Sequence, residues 1–189
     1  LKHISPIGFR KWERSLKKQF PDRTFESCCV MREPIEWLGS WYRYRKRDSL
    51  KNNPRYLGDI TFNDFLEDLC NKKVDDSSTS NLLNYQSRFL TRQNKFIIDR
   101  IFPYGKFQLF ISYLNNKFNT KISLPQKNVS PTAQNNELEI NAEIAEKIKE
   151  FTSLDCQIYK KIMELDSYDS SNQEHVNLFT EILNKDLKY

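Results

Sequence analysis

Two short apolar runs constrain this chain more than any other feature. Residues 24–31 read T-F-E-S-C-C-V-M and residues 96–102 read F-I-I-D-R-I-F, both rich in β-forming side chains and both short for a helix. Near-continuous apolar runs of this size predict strands buried on both faces. Each gives way to a proline and then to a helical pattern. Pro34 opens I-E-W-L-G-S-W-Y, and Pro103 precedes Phe107, Phe110, Ile111, Leu114 and Phe118 at helical spacing. A strand feeding straight into a helix, twice over, predicts a parallel sheet covered on both faces. The expected class is α/β, three-layered and helix-rich. Its sheet is short, because only two strands are clear and a third would end near Lys2 and His3.

The other segments read as helices and loops around that frame. Ser5 and Pro6 form a helix start, followed by Phe9, Trp12, Leu16 and Phe20 on one face, so a helix runs over residues 6–19. Thr61 and Asp64 have capping-box spacing ahead of Phe62, Phe65, Leu66 and Leu69. Residues 82–90 predict a short helix. From Glu137 onward, Ile140, Ile144, Ile148, Phe151, Ile158, Ile162 and Leu165 predict one long amphipathic helix. The polar stretch D-S-Y-D-S-S-N-Q then separates a last helix bearing Val176, Phe179, Leu183 and Leu187. Residues 72–80 and 119–136 read as loops, the second long enough to suggest a functional role. On this reading residues 1–166 form one domain and 167–189 a C-terminal helical extension.

Composition narrows the chemistry. The chain holds four glycines, Gly8, Gly39, Gly58 and Gly105, no two closer than 19 positions. Neither a G-x-G-x-x-G turn nor a G-x-x-x-x-G-K phosphate loop can be written with glycines so far apart, so a phosphate site here must use other groups. Thirty basic against 25 acidic residues give a net charge of +5, which allows anionic ligands without demanding a nucleic acid. No run approaches the length of a membrane span, and the visible N-terminus lacks a signal-peptide layout. Cys28, Cys29, Cys70 and Cys156 fit neither a disulfide framework nor zinc-site spacing. The expectation is a cytoplasmic protein with buried, reduced thiols and no metal.

The most informative stretch is C-V-M-R-E-P-I-E-W-L-G-S-W-Y-R-Y-R. It delivers Arg32 at the carboxyl end of a buried strand, just before a proline-started helix. In open α/β sheets that edge is where ligands bind. The guanidinium offers a fixed fork of donors to a phosphate, and Ser40, eight positions on, can add a hydroxyl. The alternative for the same residues is an arginine paired with a carboxylate beside a helix-packing serine. Trp37, Trp41 and Tyr42 read as core and rim packing, and the basic run at residues 43–47 as the solvated end of a helix rather than a nucleic-acid surface. His175 reads as solvent-exposed and without a role.

With these residues in view, the chain resembles the sulfotransferases that use 3′-phosphoadenosine 5′-phosphosulfate. Their 3′-phosphate motif is an apolar strand, R-x-P, and a serine eight residues beyond the arginine, which Arg32, Pro34 and Ser40 match in type and spacing. Other parts agree in order: Lys2-His3 before a helix, Q-S-R-F-L at Gln86–Leu90, D-R-I-F-P-Y ending at Tyr104, N-V-S-P from Asn128, and D-C-Q-I-Y from Asp155 to Tyr159. The resemblance implies a P-loop NTPase-like sulfotransferase fold and transfer of a sulfuryl group to an acceptor hydroxyl, on a carbohydrate, glycolipid or other small molecule. It implies that Arg32 and Ser40 hold the 3′-phosphate, that Asn128 and Ser130 approach the nucleotide, that His3 is the catalytic base and that Lys2 neutralises charge on the transferring group. The N-V-S triplet is also a glycosylation sequon, which Pro131 makes unfavourable. One departure stands out. The family's 5′-phosphosulfate loop has no counterpart in these residues, and the resemblance places it ahead of Leu1. The alternative is therefore a non-catalytic nucleotide- or anion-binding module of the same fold.

Overall fold

The structure, a computed structural model, describes residues 6–71, 85–123 and 138–185. The chain divides into two compact units. Leu1–Arg32, Tyr85–Tyr113 and Leu154–Tyr189 form the first, and Glu33–Asn84 with Leu114–Ser153 form the second. Each has its own hydrophobic core.

The first unit is built on a three-stranded sheet in the order β1 (Cys28–Met31), β4 (Arg100–Pro103), β5 (Tyr168–Asp169). β1 and β4 run parallel, with Cys29 opposite Ile101 and Met31 opposite Pro103. β5 runs antiparallel to β4, with Tyr168 opposite Ile101 and Asp169 opposite Arg100. The sheet is thus mixed, where the alternation of strands and helices predicted a parallel one. The added strand comes from the stretch read as a polar separator, in which Tyr168 is the one large apolar side chain. Tyr168 is buried against Phe96 and Phe179, with ring centroids 4.7 and 5.2 Å away, and Arg100 Nη1 meets Asp169 Oδ2 at 2.8 Å.

Both strand expectations are trimmed for one reason. Asp99 Oδ2 accepts from Ser27 N at 2.7 Å and from Ser27 Oγ at 2.6 Å, while Asp99 N donates to Ser27 Oγ at 2.9 Å. Ser27 O also accepts from Asp99 N at 3.1 Å and from Arg100 N at 2.9 Å, and the side-chain clamp closes the ladder at this point, with β1 beginning at Cys28 and β4 at Arg100. Phe96 falls instead in a hairpin of β2 (Thr91–Arg92) and β3 (Lys95–Phe96). Its turn residues Gln93 and Asn94 have φ of 50° and 55°, the left-handed pair that a two-residue hairpin turn requires.

Helices complete this core. α1 (Pro6–Gln19) matches its expected span; α4 (Gln86–Leu90), α7 (Ser153–Leu165) and α8 (Gln173–Lys185) follow later in the chain. Leu90, Ile158, Ile162, Phe179 and Leu183 pack with Met31, Ile101 and Tyr168. Within the stretch that the sequence reading sets apart as an extension, β5 and α8 supply a strand and part of the core to the first unit.

In the second unit, α2 (Pro34–Arg45), α3 (Phe62–Asn71) and α6 (Ala142–Phe151) enclose Leu38, Tyr42, Phe62, Phe65, Leu66, Leu69, Ile144 and Ile148. The capping box forms as its spacing predicts, with Asp64 N on Thr61 Oγ1 and Thr61 N on Asp64 Oδ2, each at 3.2 Å. The long helix expected from Glu137 is two helices. Asn141 caps the first, accepting from Ile144 N at 2.8 Å, and the helix ends at Thr152, whose N and Oγ1 both donate to Ile148 O. Ile144 and Ile148 serve one core and Ile158 and Ile162 the other, which a continuous apolar periodicity does not reveal. α5 (Phe107–Phe118) and α7 are each followed by a left-handed residue, Asn119 at φ 47° and Asp166 at φ 64°. These are the residue types that take this conformation most readily where glycine is scarce.

Phe179 is 1% exposed, so Phe179→Ala should lower the unfolding free energy by about 3–5 kcal/mol, read from urea denaturation. A helix lying apart from the core would instead tolerate the change within about 0.5 kcal/mol.

Candidate functional site

Arg32 follows directly on β1 and is fixed through its backbone. Gln86 is buried, and its side-chain amide pairs with Arg32 as a neighbouring strand would: Oε1 accepts from Arg32 N at 3.0 Å and Nε2 donates to Arg32 O at 2.8 Å. Gln86 is held in turn. Its own N–H donates to Asp155 Oδ2 at 2.5 Å and that of Ser87 to Asp155 Oδ1 at 2.9 Å. Asp155 thereby caps α4 from another helix, and it is only 2% exposed.

The Arg32 guanidinium lies over the ring of Tyr104, 4.1 Å from its centroid. Tyr104 begins the turn Tyr104–Lys106 just past β4. That turn is fixed by Gly105 N donating to Tyr159 Oη at 3.3 Å. A Cβ at Gly105 would stand 2.9 Å from the same oxygen, so the close approach needs glycine. Asp155 and Tyr159 lie one turn apart on α7. The first fixes the backbone of Arg32 and the second the aromatic platform under its side chain.

Stacking uses the flat face of a guanidinium and leaves its N–H donors pointing outward in the plane. Among the described residues no carboxylate pairs with Arg32. Arg100 shows the contrasting arrangement, being ion-paired with Glu26 and Asp169 and lying over Tyr113. Arg32 is thus a cation at the carboxyl edge of a parallel strand pair, held in place and chemically available to an oxyanion.

Ser40 lies half-buried on α2 in the second unit, with no side-chain hydrogen bond among the described residues. Lys2, His3, Asn128 and Ser130 lie outside the described residues. His175 departs from its reading as a solvent-exposed residue. It is half-buried, accepts from Asp169 N through Nδ1 at 3.2 Å and so secures β5. Among the described residues none of the four cysteines forms a disulfide, and each is partly rather than fully buried. Burial pushes the Cys29 thiol up to about 12, with Cys28 adding to the effect. No group of three or more His, Cys, Asp or Glu side chains suited to a metal occurs among the described residues, and no described helix is long and apolar enough to cross a membrane. A cavity of about 330 Å³ lined by Trp12, Leu16, Phe25 and Cys28 lies at the amino end of β1, the opposite end of the strand from Arg32.

The lock formed by Gln86, Asp155, Tyr104, Gly105 and Tyr159 was not assigned roles from sequence, although most of its members fall in the segments that carry the resemblance. The usable signal was an aspartate in the first turn of a helix with a tyrosine four residues on. Comparison with protein families, curated proteins and solved structures finds no match for this chain.

Asp155→Ala leaves two shielded N–H groups without an acceptor and should cost about 2–4 kcal/mol, with faster amide exchange at Gln86 and Ser87. Asp155→Asn, which keeps one oxygen acceptor, should fall between wild type and alanine. Cys29 should resist alkylation at pH 8 until the protein unfolds. Because its folded pKa is raised, its neutral form is no liability at lower pH. Stability should therefore decline as pH climbs from about 9, the ordinary thiol value, toward about 12.

Proposed function

We propose that this chain is a sulfotransferase that takes a sulfuryl group from 3′-phosphoadenosine 5′-phosphosulfate to an acceptor hydroxyl, on a carbohydrate or glycolipid. The observation that supports this reading is Arg32: stacked on Tyr104, fixed by Gln86, and free of a carboxylate partner among the described residues. A structural arginine in a folded protein is ordinarily paired, whereas one kept ready for a phosphate is held by contacts that leave its donors open. The resemblance, carried by the R-x-P motif, assigns that phosphate to the 3′ position of the nucleotide and offers Ser40 as a second donor.

In this reading the nucleotide supplies the sulfuryl group and the protein supplies position and charge. Arg32 anchors the end of the nucleotide remote from the reaction, so that binding energy there orients the reacting end. His3 takes the proton of the acceptor hydroxyl at Nε2 or Nδ1, and Lys2 stabilises negative charge as it develops. A binding module without transfer would share the Arg32 site, and it is separated from the enzyme by a sulfuryl-transfer assay on candidate glycans.

Adenosine 3′,5′-bisphosphate should stabilise the protein. At about a hundredfold excess over its dissociation constant it adds roughly 2.7 kcal/mol, a rise of about 5–10 °C in melting temperature for a chain of this size. Arg32→Ala should abolish the rise while leaving the unliganded melting temperature within about 2 °C, because the lock on residue 32 is made through its backbone. A folded protein that shows no rise at millimolar nucleotide overturns the reading.

A further inference from the structure

The end of α2 carries a second cationic feature, within the second unit and independent of Arg32. The sequence of residues 43–47, R-Y-R-K-R, predicts a solvated helix end, yet Arg45 is only 5% exposed. Its Nη2 is shielded from solvent and has no hydrogen-bond partner among the described residues, and the same is true of Arg43 Nε. The Arg45 guanidinium sits 5.6 Å from the centroid of the Trp41 ring.

No carboxylate among the described residues stands within ion-pair distance of Arg43, Arg45, Arg47 or Arg55. The nearest acids in sequence are otherwise disposed. Asp48 pairs with Lys51 at 2.9 Å, Asp64 is held in the Thr61 capping box, and Asp59 is exposed. Instead the fold brings a further cation in. The segment after α2 returns on it, with Leu57 N donating to Arg45 O at 3.3 Å and Tyr42 Oη donating to Ile60 O at 2.8 Å. An Asx turn in the returning segment, Arg55 N on Asn53 Oδ1 at 2.9 Å, sets the position of Arg55. Burial lowers the Arg45 pKa and the neighbouring charge of Arg55 lowers it further.

A buried guanidinium is retained in proteins when something anionic compensates it. Here the compensating group is missing from the described residues, and Arg55, two residues before the Leu57 contact to Arg45 O, adds a like charge. Both costs are relieved by one oxyanion placed between the two. We propose that Arg45 and Arg55 form an oxyanion site for the phosphate, sulfate or carboxylate group of a small ligand. Along the same helix, Trp37, Trp41 and Tyr44 make edge-to-face contacts at 6.2 and 6.0 Å, giving the ligand an aromatic flank beside the charge.

The test is thermal unfolding of the full chain in the Arg32→Ala background, which removes that cation from consideration. Sodium phosphate, sodium sulfate and sodium glucuronate are titrated against sodium chloride at matched ionic strength, and the ranking of the three distinguishes a tetrahedral from a carboxylate ligand. At least one should raise the melting temperature where chloride does not. Arg55→Gln, an exposed change, should weaken the midpoint by about tenfold, the value of one charge-assisted hydrogen bond. Arg45→Met should lose the response entirely and, without added anion, be at least as stable as its parent. The proposal is overturned by an equal response to chloride, by a response that survives Arg45→Met, or by a marked loss of stability in Arg45→Met without anion. It is also overturned by salt-steep binding of an oligonucleotide with no response to phosphate, which would mark a nucleic-acid surface.

Discussion

The carboxylate of Asp155 holds together the edge of the first unit that carries Arg32. It accepts the N–H groups of Gln86 and Ser87, which open a helix of only five residues. A helix that short has no stability of its own in water, so its place depends on the group that satisfies its first turn. Here that group comes from α7 rather than from a local cap. With α4 fixed, the Gln86 side chain can act as a strand neighbour to Arg32 beyond the last residue of β1. Tyr159, one turn further along α7, fixes the Tyr104–Lys106 turn whose first ring supports the Arg32 guanidinium. One face of one helix therefore sets both the backbone and the side chain of the candidate phosphate ligand.

What the sequence made legible was local. The start of α2 at Pro34, the capping box at Thr61 and Asp64, and the span of α1 follow from residue chemistry within one turn, and the structure has them where that chemistry puts them. The position of Arg32 at a strand end was legible for the same reason. What escaped was set by partners far away in the chain. Tyr168 looked like a stray aromatic in a polar stretch, because the pairing that makes it a strand residue is with Ile101. Thr152 divides a continuous apolar pattern because the side chains before and after it belong to different cores. Gln86 and Asp155 are polar residues whose burial makes sense only once 69 positions of sequence separation have been closed. Periodicity reports that a face is buried and says nothing of which partner buries it.

The distribution of positive charge carries the same lesson into function. A net charge of +5 over 189 residues is too mild to name a ligand, because it averages cations with different employment. Arg100 pairs with Glu26 and Asp169 across the sheet edge. Arg10 is held by Glu13 and by Ile97 O, Lys106 by Asp166 and Met163 O, and Lys147 by Glu67 and Glu143. These charges are matched within the fold and exert little field beyond it. Arg32 and the arginines at the end of α2 have no such partner among the described residues. Their surroundings nonetheless restrain them, by stacking on Tyr104 in one case and by burial beside Trp41 in the other. Restraint without neutralisation runs against what folding alone favours, since an unpaired cation gains more from hydration than from being held still or shielded. The ordered and uncompensated cations, rather than the total, are therefore where anionic ligands are to be sought in this chain.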